Sequence, residues 1–262
     1  MSMRKNRTTA TLLWAAGVVL LWEGVAFCLV NIFHDKMANA KLPYLHSIIY
    51  TIAANFSEIL SAALITVSKA AIGFALGAAA GIILAVIMSI SKTAEKIAFP
   101  YLIISQMIPV LGLAPIIFNL VRNMDISRII IAAYLTFFPV AANMLGGLKS
   151  VEPEKRELMY SYAAKKRSVY IKLMLPFSLP YLMTGLKIAA PLSITASILV
   201  DMLGSKGGIG VKLLYSLYGG EKDIFWASVL VCAAIGMLSY FIIILAEKIL
   251  IPWKKTSSGG EE

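Results

Sequence analysis

ELMYSYAAKKRSVYIKLMLPFSLPYL, residues Glu157–Leu182, interrupts an otherwise apolar chain with a charged, helix-forming segment. Four Lys and Arg residues fall within Glu157–Lys172, and Pro176 and Pro180 follow. Glu152, Glu154 and Glu157 come early while Lys165, Lys166 and Arg167 come late, the order that the partial charges of helix ends favour. Leu158, Met159, Tyr162 and Ala163 recur at helical spacing and form an apolar face. The segment is too polar to cross a bilayer and too regular to be a slack loop. It is predicted to be a helix that docks onto another surface and is stopped by Pro176. The other reading is a basic amphipathic helix resting on anionic lipid.

Around this segment the chain is 59% hydrophobic and only 15% charged. Soluble domains average about a quarter charged residues, so the solvent of most of this chain is lipid. No Pro/Gly/Ser-rich linker divides the 262 residues, which are read as a single domain, 1–262, whose TSSGGEE tail is expected to fray. The net charge of +10 is spread between apolar blocks instead of gathered on one patch, which argues against a nucleic-acid partner. Cys28 and Cys232 lie far apart in apolar runs, as packing residues do, so neither a disulfide framework nor a metal site is indicated.

Six apolar blocks reach or exceed the ~20 residues that a membrane-spanning helix needs. They run from Thr9 to Phe33, Ile59 to Ile90, Ile97 to Val121, Ile129 to Leu148, Leu179 to Leu203 and Ile224 to Ile251. The second is long enough to tilt or to project into water. The first follows Arg4, Lys5 and Arg7 but lacks a small-x-small cleavage site, so it is read as a retained helix and not a signal peptide.

The loop cations set the orientation. With the N-terminus inside, the inner segments carry Arg4, Lys5, Arg7, Lys92, Lys96, Lys155, Arg156, Lys165, Lys166, Arg167, Lys172, Lys248, Lys254 and Lys255. The outer segments carry half as many: Lys36, Lys41, Arg122, Arg128, Lys206, Lys212 and Lys222. Both termini and the Glu157 segment are therefore predicted to be cytoplasmic. The fold class is an all-α integral membrane protein with six transmembrane helices and a cytoplasmic helix between the fourth and fifth.

Within the blocks, Gly73, Gly77 and Gly81 share one helix face and permit close approach of a neighbouring helix. QMIPVLGLAP places Pro109 and Pro115 around Gly112, which predicts a kinked or unwound third span with Gln106 beside the break. FFPVAANMLGGL sets Pro139 and Asn143 one turn apart in the fourth. Gln106 and Asn143 suit interhelical hydrogen bonds or a solute route. Gln106, Pro109, Phe138, Asn143 and Asp201 are the candidates for lining a translocation pathway. Glu23, Lys69, Lys187 and Asp201 are ionisable residues within or at the edges of blocks, which makes them functional candidates by default. Lys187 is close enough to its block end to snorkel, and Asp201 is expected at the outer mouth beside GSKGGIG, where a turn or short re-entrant segment should lie.

Soluble-enzyme chemistry is not indicated. GGLKS at Gly146–Ser150 fails the spacing of a phosphate-binding loop, and no H-E-x-x-H occurs, so ATP hydrolysis and metalloprotease activity are not expected of this chain.

The residues quoted resemble those of a known family. ELMYSYAAKKRSVYIKLMLP is similar to the cytoplasmic EAA loop of ABC importer permeases, with Glu157 opening the motif, Ala163 at the position usually held by Gly, and Leu173-Met174-Leu175-Pro176 closing it. TVSKAAIGFALGAAAG resembles the family's second span, and PYLMTGLKIAAPLSITASILVDMLGSKGGIG its fifth span and following turn, with Asp201 where Glu is commoner. The branch resembled serves sulfonate, taurine, nitrate, thiamine-pyrimidine or riboflavin uptake, and SQMIPVLGLAPI with FFPVAANMLGGL looks more like its vitamin and pyrimidine-precursor members.

The resemblance implies a permease subunit in a prokaryotic inner membrane, paired with a second copy of itself or a related permease. It implies two cytoplasmic ATPase subunits that carry ATP and Mg, and an extracytoplasmic solute-binding protein. No cofactor is implied on this chain. The loop, about Val151–Pro176, would couple to the ATPase through Glu157, Leu158, Tyr162, Ala163, Ala164, Lys165 and Pro176. An ion-driven secondary transporter using Glu23, Lys69 or Asp201, and a structural scaffold, are the readings from other classes.

Overall fold

The computed structural model describes residues 2–34 and 37–253, and every regular element in it is a helix, with no strand among the described residues. Lys36, Lys254 and Lys255, which entered the charge comparison, and the TSSGGEE tail lie outside the described residues.

Helix α1 (Ser2–Phe27) runs into a π turn at Cys28–Ile32. Two short helices, α2 (Ala38–Lys41) and α3 (Leu45–Ala54), lead to α4 (Phe56–Ile90). The third apolar block is divided into α5 (Lys92–Met107) and α6 (Val110–Val121), which meet at 100°. Then come α7 (Met124–Lys149), the charged segment as α8 (Pro153–Ser161) and α9 (Lys166–Val169), a π turn at Tyr170–Met174, α10 (Leu175–Met202), α11 (Ile209–Gly219) and α12 (Lys222–Leu250). Among the described residues, four helices are long and apolar enough to cross a membrane: α4, α7, the Lys166–Met202 run and α12. The bent α5–α6 pair brings the number to five, and α1 adds a shorter apolar stretch at Ala16–Ile32. At 35 residues α4 is about 52 Å long, well beyond a ~30 Å hydrocarbon core.

The third block breaks where Ile108, held extended by the proline after it (ψ 121°), meets Pro109, itself extended at ψ 119°. Pro100, Pro115 and Pro139 sit within helices without ending them. Pro176 behaves the same way, contrary to the expected stop: the backbone is helical from Lys166 to Met202. A proline ring presses on the carbonyl four residues back, here that of Lys172, and that residue lies within the wider π turn at Tyr170–Met174, where the Leu175 amide donates to the Tyr170 carbonyl. The GSKGGIG segment forms the expected turn, but an eleven-residue helix, α11, follows it.

The core is built on α7, which packs between α4 and α10. A Cβ on Gly73 would come within 2.6 Å of the Ile129 carbonyl, one on Gly77 would strike the Ala133 carbonyl, and one on Gly81 would lie 2.7 Å from that of Phe137. The predicted glycine face is therefore where α4 meets α7. The contacts advance together along both helices, so α4 and α7 run parallel. The chain must return from one end of the bundle to the other between Ile90 and Met124, and the bent α5–α6 pair carries it back. Gly185 of α10 meets Pro139 and Gly147 of α7 meets Tyr181, so α10 is antiparallel to both.

Helices α12 and α1 are peripheral. None of the most apolar eighteen residues of α12 is buried, which leaves that face for lipid or a partner. Trp22 of α1 and Trp226 of α12 stack edge to face at 5.7 Å. Their indoles donate to the carbonyls of Pro43 and Ala40, 3.0 and 3.2 Å away, tying both helices to the α2–α3 connection.

Candidate functional site

The two ends of the bundle carry different chemistry. At the α11 end, Thr66 of α4, Arg128 of α7 and Asp201 of α10 form one buried cluster, with Arg128 2% and Asp201 1% exposed. The Arg128 Nε lies 2.6 Å from Asp201 Oδ1. Its two other nitrogens donate to Asp125, at 3.0 Å, and to the Gly207 carbonyl. Thr66 donates to Asp201 Oδ2 at 2.5 Å and accepts the Ile209 amide at 2.9 Å, while Ser197 donates to the Thr66 carbonyl at 3.1 Å. The turn before α11 is shaped around this carboxylate. Gly208 holds φ +125°, and a Cβ there would run into the Asp201 side chain.

This cluster changes the reading of two residues. Asp201, expected at the outer mouth beside GSKGGIG and named as a pathway candidate, lies beside that turn and is sealed by three helices. Arg128, counted among the outer loop cations, lies in the first turns of α7 and is its partner. The spacing Asp125-Ile126-Ser127-Arg128, an i,i+3 acid–base pair at a helix start, and the need of an intramembrane Asp for a cation were the signals that could have found it.

The other ionisable residues in the blocks are paired as well. Glu23 faces His46 at 3.3 Å and Lys69 lies 3.5 Å from Asp125. Lys187, expected to snorkel, instead pairs with Glu247 across α10 and α12. Among the described residues, no group of three or more His, Cys, Asp or Glu is arranged to hold a metal ion.

The remaining pathway candidates are not gathered in one place. Gln106 and Pro109 are exposed at the α5–α6 break, where Tyr134 of α7 donates to the Ser105 carbonyl. Phe138 packs into the core between α4, α7 and α10. Asn143 donates within its own helix to the Pro139 carbonyl at 2.7 Å, instead of across to another helix. Its Cβ also faces Gly185. Asp201 lies sixteen residues farther along α10, about 24 Å away by helical rise.

At the opposite end stands α8. The charged segment is not one helix, as expected, but two pieces joined at Tyr162–Lys165. The Ala163 amide donates to the Tyr160 carbonyl at 2.9 Å and the Ala164 amide to that of Met159 at 3.1 Å, the pair of bonds of a Schellman cap. Ala163 supplies the left-handed residue of the cap at φ +56°. That conformation suits Gly, and Ala accepts it at a cost of about 1 kcal/mol. Glu157 and Lys165 are exposed, as are Leu158 at 58% and Tyr162 at 80%, while Ala164 is half-buried. Leu158 and Tyr162 of the apolar face read from the sequence thus point away from the bundle, and Tyr160, on another side of the helix, is 48% exposed.

Comparison with known proteins fits this architecture. The formylaminopyrimidine transport permease protein ThiX of Halalkalibacterium halodurans is 33% identical over 190 residues, 72% of this chain and 76% of that protein. The putative aliphatic sulfonates transport permease protein SsuC of Bacillus subtilis is 26% identical over 80% of this chain and 78% of its own length. Among solved structures, an amino acid ABC transporter crystallised with histidines superposes with a TM-score of 0.62 over 77% of this chain and 96% of its own, at 14% identity, a likeness of fold. Residues 77–256 match the family described as binding-protein-dependent transport system inner membrane component. The chain belongs to that family, the transmembrane permeases of ABC importers.

Proposed function

We propose that this chain, as a single permease domain over residues 1–262, forms the solute route of an importer in an inner membrane. It crosses six times, with α1 as the first span and the α5–α6 pair as the third, and both termini are cytoplasmic. Two copies enclose the route and an extracytoplasmic binding protein delivers the solute at the α11 end. A separate ATPase, holding the ATP and Mg that this chain does not bind, works at the α8 end.

The observation that carries this reading is α8. A short helix with Leu158, Tyr160 and Tyr162 exposed and Glu157 beside them is a surface that water alone does not favour. It is joined through one tight cap to a helix that runs without interruption into the core of the bundle. An ATPase that binds α8 differently in its open and closed states shifts the permease by that difference in affinity and by nothing else. Glu157, Leu158, Tyr162, Ala163, Ala164 and Lys165 are the docking residues, and Pro176 stands where the segment enters the long helix. Gln106, Pro109, Phe138 and Asn143 remain candidates for the route between copies, whereas the burial of Asp201 supports a pinning role for it.

For the solute, the 33% identity to a formylaminopyrimidine permease supports a pyrimidine or related vitamin-precursor heterocycle. The sulfonate relative, at 26% identity over more of this chain, supports an aliphatic sulfonate as the second reading. Uptake of labelled formylaminopyrimidine and labelled alkanesulfonate by cells with and without this chain separates the two. The assembly is tested by solubilising the protein from its native cells and identifying what co-purifies, with Glu157→Lys in parallel. An ATPase recovered with the native chain and lost with the variant supports the importer. Recovery of the chain alone, with uptake that follows an ion gradient, refutes it.

A further inference from the structure

A cavity of about 320 Å³ opens at the α8 end, where the end of α4, the first turn of α5, the last turn of α7 and α8 converge. Its walls carry Lys92, Lys96, Lys149 and Arg156 against one carboxylate, Glu95. Glu95 is already engaged by Lys149, so among the described residues no acid is recorded in an ion pair with Lys92, Lys96 or Arg156. The Nε of Arg156 is buried and has no hydrogen-bond partner. Orphaned buried N–H groups are rare in folded proteins, and a water or an anion in the cavity satisfies this one. Behind the cations lie Met88 and Leu148, 1% and 0% exposed, which give the cavity an apolar floor.

We propose that this cavity binds a phosphate-bearing anion, with the guanidinium of Arg156 and the ammonium groups of Lys92 and Lys96 as its ligands. Guanidinium groups suit phosphate oxygens, and lysines add point charge. The phosphate comes from an anionic phospholipid headgroup or from a soluble phosphate compound. Basic pockets between helix ends at a membrane surface take lipid headgroups, and the apolar floor beside the cations suits the glycerol end of such a lipid. A phosphate held here bridges α8 to α5, so the occupant clamps the exposed helix to the bundle. The assignment of the cytoplasmic leaflet as the lipid source rests on the proposed orientation, whereas binding measured in detergent does not.

The test uses the full chain, purified in mild detergent and stripped of lipid. Phosphatidylglycerol and phosphatidylcholine are added back and retention is read by native mass spectrometry. In a separate arm, inorganic phosphate is titrated calorimetrically against a chloride control. Retention of phosphatidylglycerol about tenfold or more above phosphatidylcholine, lost in Lys92→Gln/Lys96→Gln/Arg156→Gln, establishes a lipid site. Binding of inorganic phosphate that the same variant abolishes, without preference between the lipids, establishes a soluble ligand. Lys206→Gln/Lys222→Gln, at the other end of the bundle, controls for loss of charge, and monodispersity in gel filtration controls for folding. Absence of both kinds of binding, or binding that the triple variant retains in full, overturns the proposal. An ATPase carboxylate that fills the cavity gives that first result.

Discussion

The Nε of Arg128 and Oδ1 of Asp201 lie 2.6 Å apart between α7 and α10, at the end of the bundle opposite α8. With Thr66 they fasten the three core helices at one level. Removing one partner strands a buried charge, so Arg128→Met or Asp201→Ala is expected to destabilise the protein by about 3–5 kcal/mol. The double variant Arg128→Met/Asp201→Leu should be more stable than the two single losses predict by addition. Thermal unfolding in detergent, followed by tryptophan fluorescence, measures all three, and strict additivity contradicts the pairing.

The glycine face makes a sharper steric prediction. A methyl on Gly77 meets the Ala133 carbonyl, which is backbone and does not rotate away, so Gly77→Ala should cost about 1–3 kcal/mol and lower the amount of folded protein in the membrane. Gly146, on α7, has nothing within 4 Å of the corresponding position. Gly146→Ala should be neutral or mildly stabilising, by up to about 1 kcal/mol. Equal effects at the two sites in a thermal-shift comparison argue against close α4–α7 contact.

Ala163 supports a third. Because it holds φ +56°, Ala163→Gly should relieve about 1 kcal/mol of strain and protect the Tyr162–Lys165 connection from protease while keeping uptake. Ala163→Val puts a β-branched residue in the same conformation and should open the cap. Limited proteolysis at Lys165 and Lys166 should accelerate and uptake should fall, with the amount inserted in the membrane unchanged.

Glu157 is exposed on α8, so Glu157→Lys should leave unfolding in detergent within about 0.5 kcal/mol of the native chain. Uptake and ATPase co-purification should nevertheless be lost. A variant that unfolds early, or one that transports normally, removes the docking role.

Much of this architecture is legible in composition and spacing. The apolar blocks foretell α4, α7, α10 and α12 because lipid-facing helices need long unbroken runs, and three glycines four apart foretell a close helix contact on α4 without naming α7 as the partner. What escapes is set by partners distant in the chain. Arg128 reads as a loop cation until Asp201 closes on it, and Lys187 reads as snorkelling until Glu247 meets it. Local conformation hides too. Pro176 has the look of a terminator, yet a π turn carries the helix past it, and Ala163 by its own residue type does not announce a left-handed backbone, the one pointer being the resemblance that puts it where Gly is usual. The cavity beside Arg156 draws its walls from four helices and the π turn, and no single segment contains its pattern.

The helix from Lys166 to Met202 has 37 residues and is therefore about 55 Å long. Its far end is fixed by Asp201, and its near end hangs from the cap at Ala163. Such a rod works as a lever whose fulcrum lies at the buried ion pair. A sideways push of about 5 Å at Lys166 then tilts it by only about 5°, with displacement shrinking steadily toward Asp201. Movement of that kind is largest at the α8 end, has fallen to about half by Gly185 and Asn143, and vanishes at the Thr66 level, so one end swings while the other keeps its seal.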